Sequence, residues 1–141
     1  MTSTVADVVR RYYQVVADLG STEAELRSLM ADDVRIVEHP NAITPLGAER
    51  GLEETVDGFL AGKALLARQT FEIVELLVVG ERAAVRARWT GTVGVENPRI
   101  PKGSELVAHI AAFVTVDGGC VTRLETFDCY DPVGSSPSPV G

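Results

Sequence analysis

Apolar residues recur every three or four positions at the start of the chain, from about Thr4 to Leu19. This spacing predicts an amphipathic helix, and Gly20 ends it. A second, short helix is predicted after Thr22, a residue type that caps helix N-termini, with Leu29 and Met30 facing inward. The chain therefore begins with two helices that each bury one face.

The pattern then changes to a short apolar strand, Val34–Glu38. It ends at His39-Pro40, and the proline-containing residues Asn41–Gly47 predict a loop. From Ala48 to about Ala67 the apolar positions return to helical spacing, which predicts a third amphipathic helix.

Beyond this helix the hydrophobic period falls to two, and Val, Thr and aromatic residues dominate. Glycine-containing turns divide this half into four predicted strands: Phe71–Val79, Arg82–Thr92, Ser104–Val116 and Val121–Tyr130. Three helices, an early strand and a four-stranded meander predict an α+β fold with the helices on one sheet face. Residues 1–131 are predicted to form a single domain, and the Pro, Ser and Gly residues of 132–141 predict a flexible tail.

The last two predicted strands are joined by a turn over residues 117–120. A regular hairpin with this turn places His109 opposite Asp128, where Cβ atoms of opposed residues are ~4.5–5.5 Å apart. We expect a hydrogen bond between these two side chains. The other face of this hairpin is also apolar, and we expect a second copy of the chain to cover it. That face is predicted to carry Ala108, Ile110, Ala112, Val114 and Phe127.

The charge and composition narrow the range of partners. There are 13 Lys+Arg and 20 Asp+Glu in 141 residues, which gives a formal net charge of −7. This charge argues against nucleic-acid partners, and no apolar run is long enough to predict a membrane span. With two cysteines and no clustered histidines, the sequence predicts no disulfide framework and no zinc site, and we expect a cytoplasmic protein.

The candidate chemistry centres on His109 and Asp128. A carboxylate against an imidazole serves as a general base, or fixes the tautomer of a histidine that does. The alternative is a structural hydrogen bond between two half-buried groups. His39 either points into the space between helices and sheet or caps local backbone, and Tyr12 either directs its hydroxyl to a site or belongs to the core. Tyr13, about 100° further round the helix, is predicted to be peripheral.

Four segments of the sequence carry a resemblance to a known family: VVRRYYQVV, LMADDVRIVEHP, GLEETVDGFL and AAFVTVDGGCVTRLETFD. In this order they resemble the nuclear transport factor 2-like superfamily, and within it the SnoaL-like polyketide cyclases and the ketosteroid isomerases. The resemblance implies a cone-shaped α+β barrel, in which a curved, mainly antiparallel sheet wraps round three helices. It also implies an apolar pocket open at one end and a homodimer.

The resemblance also implies site residues. Tyr12 matches the tyrosine that hydrogen-bonds the dienolate oxygen in ketosteroid isomerases, and His39 falls where that family has its proton-transferring aspartate. Ala111 falls where the isomerases have a protonated aspartate, whereas His109 and Asp128 resemble the acid/base pair of the cyclases. The catalytic candidates are Asp128, His109, His39 and Tyr12. The candidates for binding the substrate are Trp89, Phe113, Thr126, Tyr130 and Phe59.

Together these features lead to two hypotheses about function. The first is a cofactor-independent cyclase or isomerase that moves a proton next to a carbonyl of an apolar, planar molecule. The second is a non-catalytic, dimeric module that binds a small apolar molecule, since one fold hosts both kinds of protein. A hydrolase that adds water to an epoxide is a third, and it requires a denser Asp/Arg/Asp set than the sequence indicates.

Overall fold

Three helices cover one face of a six-stranded sheet in the computed structural model, which describes residues 4–133. The predicted tail lies mostly outside these residues. The helices are α1 (Val5–Ala17), α2 (Glu23–Arg27) and α3 (Leu52–Leu65). The strands are β1 (Met30–Glu38), β2 (Ala48–Arg50), β3 (Leu66–Val79), β4 (Arg82–Val93), β5 (Glu105–Asp117) and β6 (Cys120–Tyr130).

The sheet is mixed, with the strand order β2-β1-β6-β5-β4-β3. β1 runs parallel to β6, and all the other neighbours are antiparallel. β2 and β3 are its edges, so the expected barrel is not closed within the described residues. The predicted α+β fold, with helices on one face of a mainly antiparallel sheet, is confirmed.

Capping interactions fix the first two helices. The Thr4 hydroxyl accepts from the Asp7 amide at 3.1 Å, and the Asp7 carboxylate accepts from the Thr4 amide at 3.2 Å. Thr22 and Glu25 make the same reciprocal pair at the start of α2. Because the first amides of a helix have no partner within it, these bonds define where each helix begins.

Several predicted boundaries are wrong by a few residues. The third helix begins at Leu52 rather than Ala48, because residues 48–50 pair with the end of β1 as strand β2. It ends before Leu66, where the backbone turns extended and β3 begins. Met30 does not face inward from the second helix; it begins β1, and its side chain is buried in the core.

The core lies between α1, α2 and the inner face of the sheet. Its largest fully buried side chains are Val9, Val15, Leu26, Val34, Val93, Val114 and Val121. Burying apolar surface of this kind contributes roughly 25 cal/mol per Å². A cavity lies beside this core, between the helices and the inner face of the sheet.

The β5–β6 hairpin has a different register from the one expected. Next to the turn, Val116 faces Val121 as predicted, but the following pair is Thr115 with Arg123. Thr122 is therefore an extra residue on β6, a β-bulge, and every later partner shifts by one. His109 consequently faces Cys129, and Ile110 faces Asp128.

A shift of one residue exchanges the faces of a strand relative to its partner. The inner face of β5 carries Ala108, Ile110, Ala112 and Val114, which pack toward the helices. The expectation that a second copy covers these residues is wrong. Phe113 and Phe127 lie on the outer face instead, 47% and 40% exposed.

Candidate functional site

A cavity of about 370 Å³ lies between the helices and the inner face of the sheet. One part of its wall is apolar, formed by Val16, Leu26, Ile36, Phe71, Ile110 and Leu124. The polar groups are concentrated on β1, β2 and β6 and on one face of α1. An apolar pocket with a few converging polar groups is the usual form of a small-molecule site.

Asp128 is the acidic group that β6 presents to this cavity. Its Oδ1 accepts a hydrogen bond from the Thr126 hydroxyl at 2.6 Å. Burial raises the pKa of the Asp128 carboxyl above its ordinary value, the Thr126 bond partly offsets this, and the charge of Glu38 raises it further. A carboxyl group whose ionised form is destabilised by burial binds its proton more tightly, so its carboxylate is a stronger base.

Glu38 is the second carboxylate in the cavity and is held on both oxygens. Oε1 accepts from the Arg50 guanidinium at 2.9 Å, and Oε2 accepts from the Asn41 amide at 2.8 Å. Burial raises the pKa of Glu38, but the hydrogen bonds from Asn41, Arg50 and Thr44 outweigh burial and leave it below its ordinary value. Glu38 is therefore held as a negative charge, with a hydrogen bond to each carboxylate oxygen.

Three tyrosines place their hydroxyls at the cavity: Tyr12 and Tyr13 from α1, and Tyr130 from β6. Within residues 4–133 none of these hydroxyls donates or accepts a hydrogen bond, and no fully buried side-chain oxygen is left without a partner. Each of the three hydroxyls therefore keeps some accessible surface on a residue that lines the cavity. Burial raises the pKa of Tyr12 to about 12, against the opposing effect of Arg50.

Burial also raises the pKa of Tyr13 and of Tyr130, and the nearby charge of Asp128 adds to both. All three phenols are neutral at physiological pH as a result. A neutral phenol donates a hydrogen bond, which suits it to bind a carbonyl or enolate oxygen.

Trp89 forms the flat part of the wall. Its indole Nε1 donates to Gln69 Oε1 at 2.8 Å, and the Gln69 amide donates to the Val16 carbonyl at 2.9 Å. The ring lies edge-on to Tyr130, with 6.3 Å between ring centroids. Gln69 thus fixes the indole between α1 and the sheet.

Gly91 makes room for this indole, because a Cβ at position 91 would lie 2.5 Å from the Trp89 ring. We expect Gly91→Ala to displace the ring and to break its bond to Gln69. Trp89 is the sole tryptophan of the chain, so its fluorescence emission should move to longer wavelength. Gly58→Ala is the control, because a Cβ there meets nothing within 4 Å and should leave the emission unchanged. Unaltered emission in Gly91→Ala would contradict the placement of the ring.

Lys63 of α3 also lines the cavity. Its ammonium donates to the Ser21 carbonyl and lies 5.0 Å from the centre of the Phe59 ring. These contacts tie α3 to the residues before α2 and hold Phe59 at the cavity wall.

Asp128, Tyr12, Trp89, Thr126, Tyr130 and Phe59 are the sequence-predicted site residues that line the cavity. The other three lie on the opposite side of the sheet. His109 does not bond Asp128: its Nε2 lies 3.0 Å from Asp131 Oδ1, and the side chain is 57% exposed. The bulge in β6 is the cause, because it brings Asp128 to the inner face, whereas alternation along β5 leaves His109 on the outer face.

His39 and Phe113 also lie outside the cavity. The His39 ring stacks on Phe127 at 4.1 Å, and its Nε2 lies 2.9 Å from Glu125 Oε2. Alternation along β1 places Glu38 inward and His39 outward, so Glu38 occupies the inner position expected for the histidine.

Sequence reasoning missed Glu38, Arg50, Gln69 and Tyr13 as cavity residues. Alternation from the buried Val34 and Ile36 could have indicated Glu38, since residues two apart share a face. Tyr13 is buried rather than peripheral, because β3 covers that side of α1 and Phe71 packs on its ring. Arg50 and Gln69 carry no such signal, since both depend on tertiary pairing.

A family model described as the SnoaL-like domain matches residues 9–124. The chain belongs to the SnoaL-like family. This family is part of the nuclear transport factor 2-like superfamily, as the sequence resemblance predicted, and the helix-and-sheet layout described above agrees with it.

Solved structures share the fold of this SnoaL-like protein at low sequence identity. IdmH from Streptomyces antibioticus, named as a candidate polyketide cyclase, has a TM-score of 0.72 at 22% identity over 89% of this chain and 92% of that one. A SnoaL-like polyketide cyclase from Agrobacterium tumefaciens has 0.66 at 18% identity, over 90% and 92%. A protein from Catenulispora acidiphila with a ketosteroid isomerase-like fold, in complex with trimethylamine, has 0.68 at 19%, over 88% and 86%.

No protein of curated function matches the sequence significantly. Among the described residues, no helix has the length and apolar character needed to cross a membrane. Within residues 4–133, no three His, Cys, Asp or Glu side chains are grouped as metal ligands would be. The described cavity combines the Asp128 carboxyl, whose pKa is raised, with three neutral phenols and an apolar, partly aromatic wall.

Proposed function

We propose that this SnoaL-like protein transfers a proton next to a carbonyl of a small apolar molecule, as a cyclase or isomerase, with Asp128 as the base. One observation carries the proposal: Asp128 has a raised pKa and lies in an apolar cavity together with three tyrosine hydroxyls that have no hydrogen-bond partner in the described chain.

Each group has a role in such a reaction. Asp128 takes the proton from the carbon next to the carbonyl, and it can return the proton at a second carbon. A hydroxyl of Tyr12, Tyr13 or Tyr130 donates to the carbonyl oxygen, which becomes an enolate when the proton leaves. Trp89 and Phe59 hold the apolar part of the substrate, and the Thr126 bond fixes the Asp128 carboxylate in one orientation.

Proton transfer can be tested without knowledge of the natural substrate. We would incubate the protein in D₂O with a panel of apolar bicyclic ketones, beginning with 1-tetralone, and follow loss of the α-proton signal by NMR. The proposal expects exchange faster than in buffer for at least one ketone that also raises the melting temperature. A ketone that binds but exchanges only at the buffer rate would favour the non-catalytic binding module.

The same assay gives a pH prediction. A general base works when it is deprotonated, so the exchange rate should be high above the pKa of Asp128 and fall as the pH drops through it. Because burial and Glu38 raise this pKa, the fall should begin at a higher pH than for an ordinary aspartate. A rate that is independent of pH down to the ordinary range of aspartate would argue against Asp128 as the base.

A second copy of the chain is the proposed partner for the outer face of the sheet. Phe113 and Phe127 meet edge-on there, 6.3 Å apart, although both are exposed. β4 places Arg86 and Arg88 on one side of them, and β6 places Glu125 on the other. Arg86 is already paired with Glu75 at 3.5 Å and Glu125 with His39 at 2.9 Å, so it is the burial of the two exposed rings that would stabilise the contact between copies.

We expect Phe127→Glu to weaken such a dimer, because it puts an unpaired charge into an apolar contact. The dissociation constant should rise about 30-fold or more, the scale of an interface hot spot, as measured by sedimentation equilibrium. Val79→Glu changes an exposed valine at the far end of β3 and should leave the association unchanged. A wild-type protein that sediments as a monomer at micromolar concentration would exclude the dimer.

A further inference from the structure

Two carboxylates share the cavity, and one of them, Glu38, is held by hydrogen bonds on both of its oxygens. Glu38 on β1 and Thr126 on β6 are direct partners in the parallel register. Thr126 in turn donates to Asp128, two residues further along the same inner face. Glu38 and Asp128 therefore lie on neighbouring strands and face the same space.

The position of Arg50 determines which end of the Glu38–Arg50 ion pair lies nearer to Asp128. The strand order is β2-β1-β6, so Glu38 stands between Arg50 and Asp128. With ~4.8 Å between adjacent strands, Asp128 lies one strand from the negative group and two strands from the positive one. The ion pair thus presents its negative end to Asp128 although it is neutral as a whole.

Glu38 is also held in place from the loop side. Asn41 donates to the Glu38 carboxylate and to the His39 carbonyl, while its own carbonyl oxygen accepts from the Ile43 and Thr44 amides. The loop after β1 is folded around the Asn41 side chain. The Glu38 carboxylate is consequently held by the amide of Asn41, whose position is fixed by two backbone amides of the loop.

We infer that Glu38, oriented by Arg50 and Asn41, is a positioning residue whose negative charge adds to burial in strengthening the hold of Asp128 on its proton. It acts through Asp128. The inference deepens the proposed function, on which its catalytic meaning rests. It assigns to Glu38 on β1 and Arg50 on β2 an effect on the basicity of Asp128.

The other charged and titratable groups around Asp128 do not supply this effect. The ones that line the cavity are Tyr12 and Tyr13 on α1, Lys63 on α3, Glu38 on β1, Arg50 on β2 and Tyr130 on β6. The three phenols are neutral, and Lys63 and Arg50 are positively charged, so none of these groups supplies a negative charge. The cavity residues on β3, β4 and β5 carry no charge, so Glu38 is the negative group in this set that faces Asp128. Two like charges on one small cavity oppose each other's ionisation.

The test follows Asp128 directly by NMR. Protein labelled with ¹³C at the side-chain carboxyls is titrated, and the Asp128 signal is assigned from its loss in Asp128→Asn. In Glu38→Gln, which keeps the shape and the acceptor for Arg50, the pKa of Asp128 should fall by about 0.5–1, the size expected for removal of one charge at this range. The pKa of Asp128 should stay within about 0.2 of the wild-type value in Glu125→Gln, which removes a carboxylate from the outer face of the same strand.

An Asp128 pKa that is unchanged in Glu38→Gln, or that falls equally in Glu125→Gln, would overturn the inference. If Glu38→Gln does not fold, the titration of the wild-type protein is the test. The Glu38 charge can act on Asp128 only if Glu38 ionises at a lower pH than Asp128 does. The reverse order overturns the inference. No substrate is needed, so this result stands apart from the exchange assay: Asp128 can fail as a catalyst while its pKa still depends on Glu38, and the converse can also occur.

Discussion

Replacing Asp128 by Asn should lower the rate of α-proton exchange by about 10²–10⁴-fold, the usual contribution of one general base. Asparagine has the same shape and its amide oxygen still accepts from Thr126, but it cannot take up a proton. The affinity for the ketone should change little, because the apolar wall and the three phenols remain. NMR exchange rates at saturating ketone, with affinity measured by Trp89 fluorescence, separate the two effects.

Two features of Asp128→Asn distinguish lost chemistry from lost structure. The Asp128 pKa is raised mainly by burial, so keeping this group ionised at neutral pH works against folding. The variant should therefore melt at or above the wild-type temperature. Asp131→Asn is the matched control, since its carboxylate lies beside His109 on the outer face and its loss should leave exchange unchanged. A variant that exchanges as fast as the wild type would remove Asp128 as the base.

Replacing Gly47 by Ala should destabilise the protein by roughly 2–4 kcal/mol, the combined cost of a left-handed backbone and a clash. Gly47 has φ +68°, and a Cβ there would lie 2.7 Å from the Glu38 carbonyl and 3.1 Å from Pro40. Backbone atoms cannot move aside cheaply, so the loop after β1 has to shift. The free energy of unfolding from urea titration measures the cost.

Gly80→Ala separates the two causes of this cost. Gly80 also has a positive φ, of 59°, but a Cβ there meets nothing within 4 Å. Its substitution should cost only about 1 kcal/mol, from the backbone conformation alone. Equal costs for the two variants would show that the contact with Glu38 is unimportant. A larger cost for Gly47→Ala, together with a changed Asp128 pKa, would tie the loop to the site.

The layout of the fold could be predicted from the sequence because it depends on local patterns. The 3.6-residue and two-residue periods locate every element except β2, a three-residue strand that exists only because β1 offers its edge. The site was predictable in part. Tyr12 lies on the apolar stripe of α1 and Trp89 on the inner face of β4, so periodicity alone directs both side chains inward.

The histidines could not be placed in this way. His109 depends on the register of β5 with β6, and both faces of β5 are apolar, so burial does not discriminate between registers that differ by one residue. His39 directly follows Glu38, the last residue of β1, and Glu38 is the more polar of the two. Burial of the Glu38 carboxylate is possible only because Asn41 and Arg50 bond to it. The sequence carries no local signal for Arg50, which lies 12 residues from Glu38 and on another strand.

The bulge at Thr122 also bears on how this hairpin tolerates changes of length. Thr122 is skipped in the register with β5, since Thr115 pairs with Arg123 and Val116 with Val121, and only its hydroxyl reaches β5, where it donates to the Thr115 carbonyl at 3.3 Å. A chain that lost Thr122 would keep each of those pairs, and every cavity residue of β6 would stay where it is. Deletion of this one residue is therefore absorbed before it reaches Asp128, and a relative that lacks it should superimpose on this chain throughout the cavity.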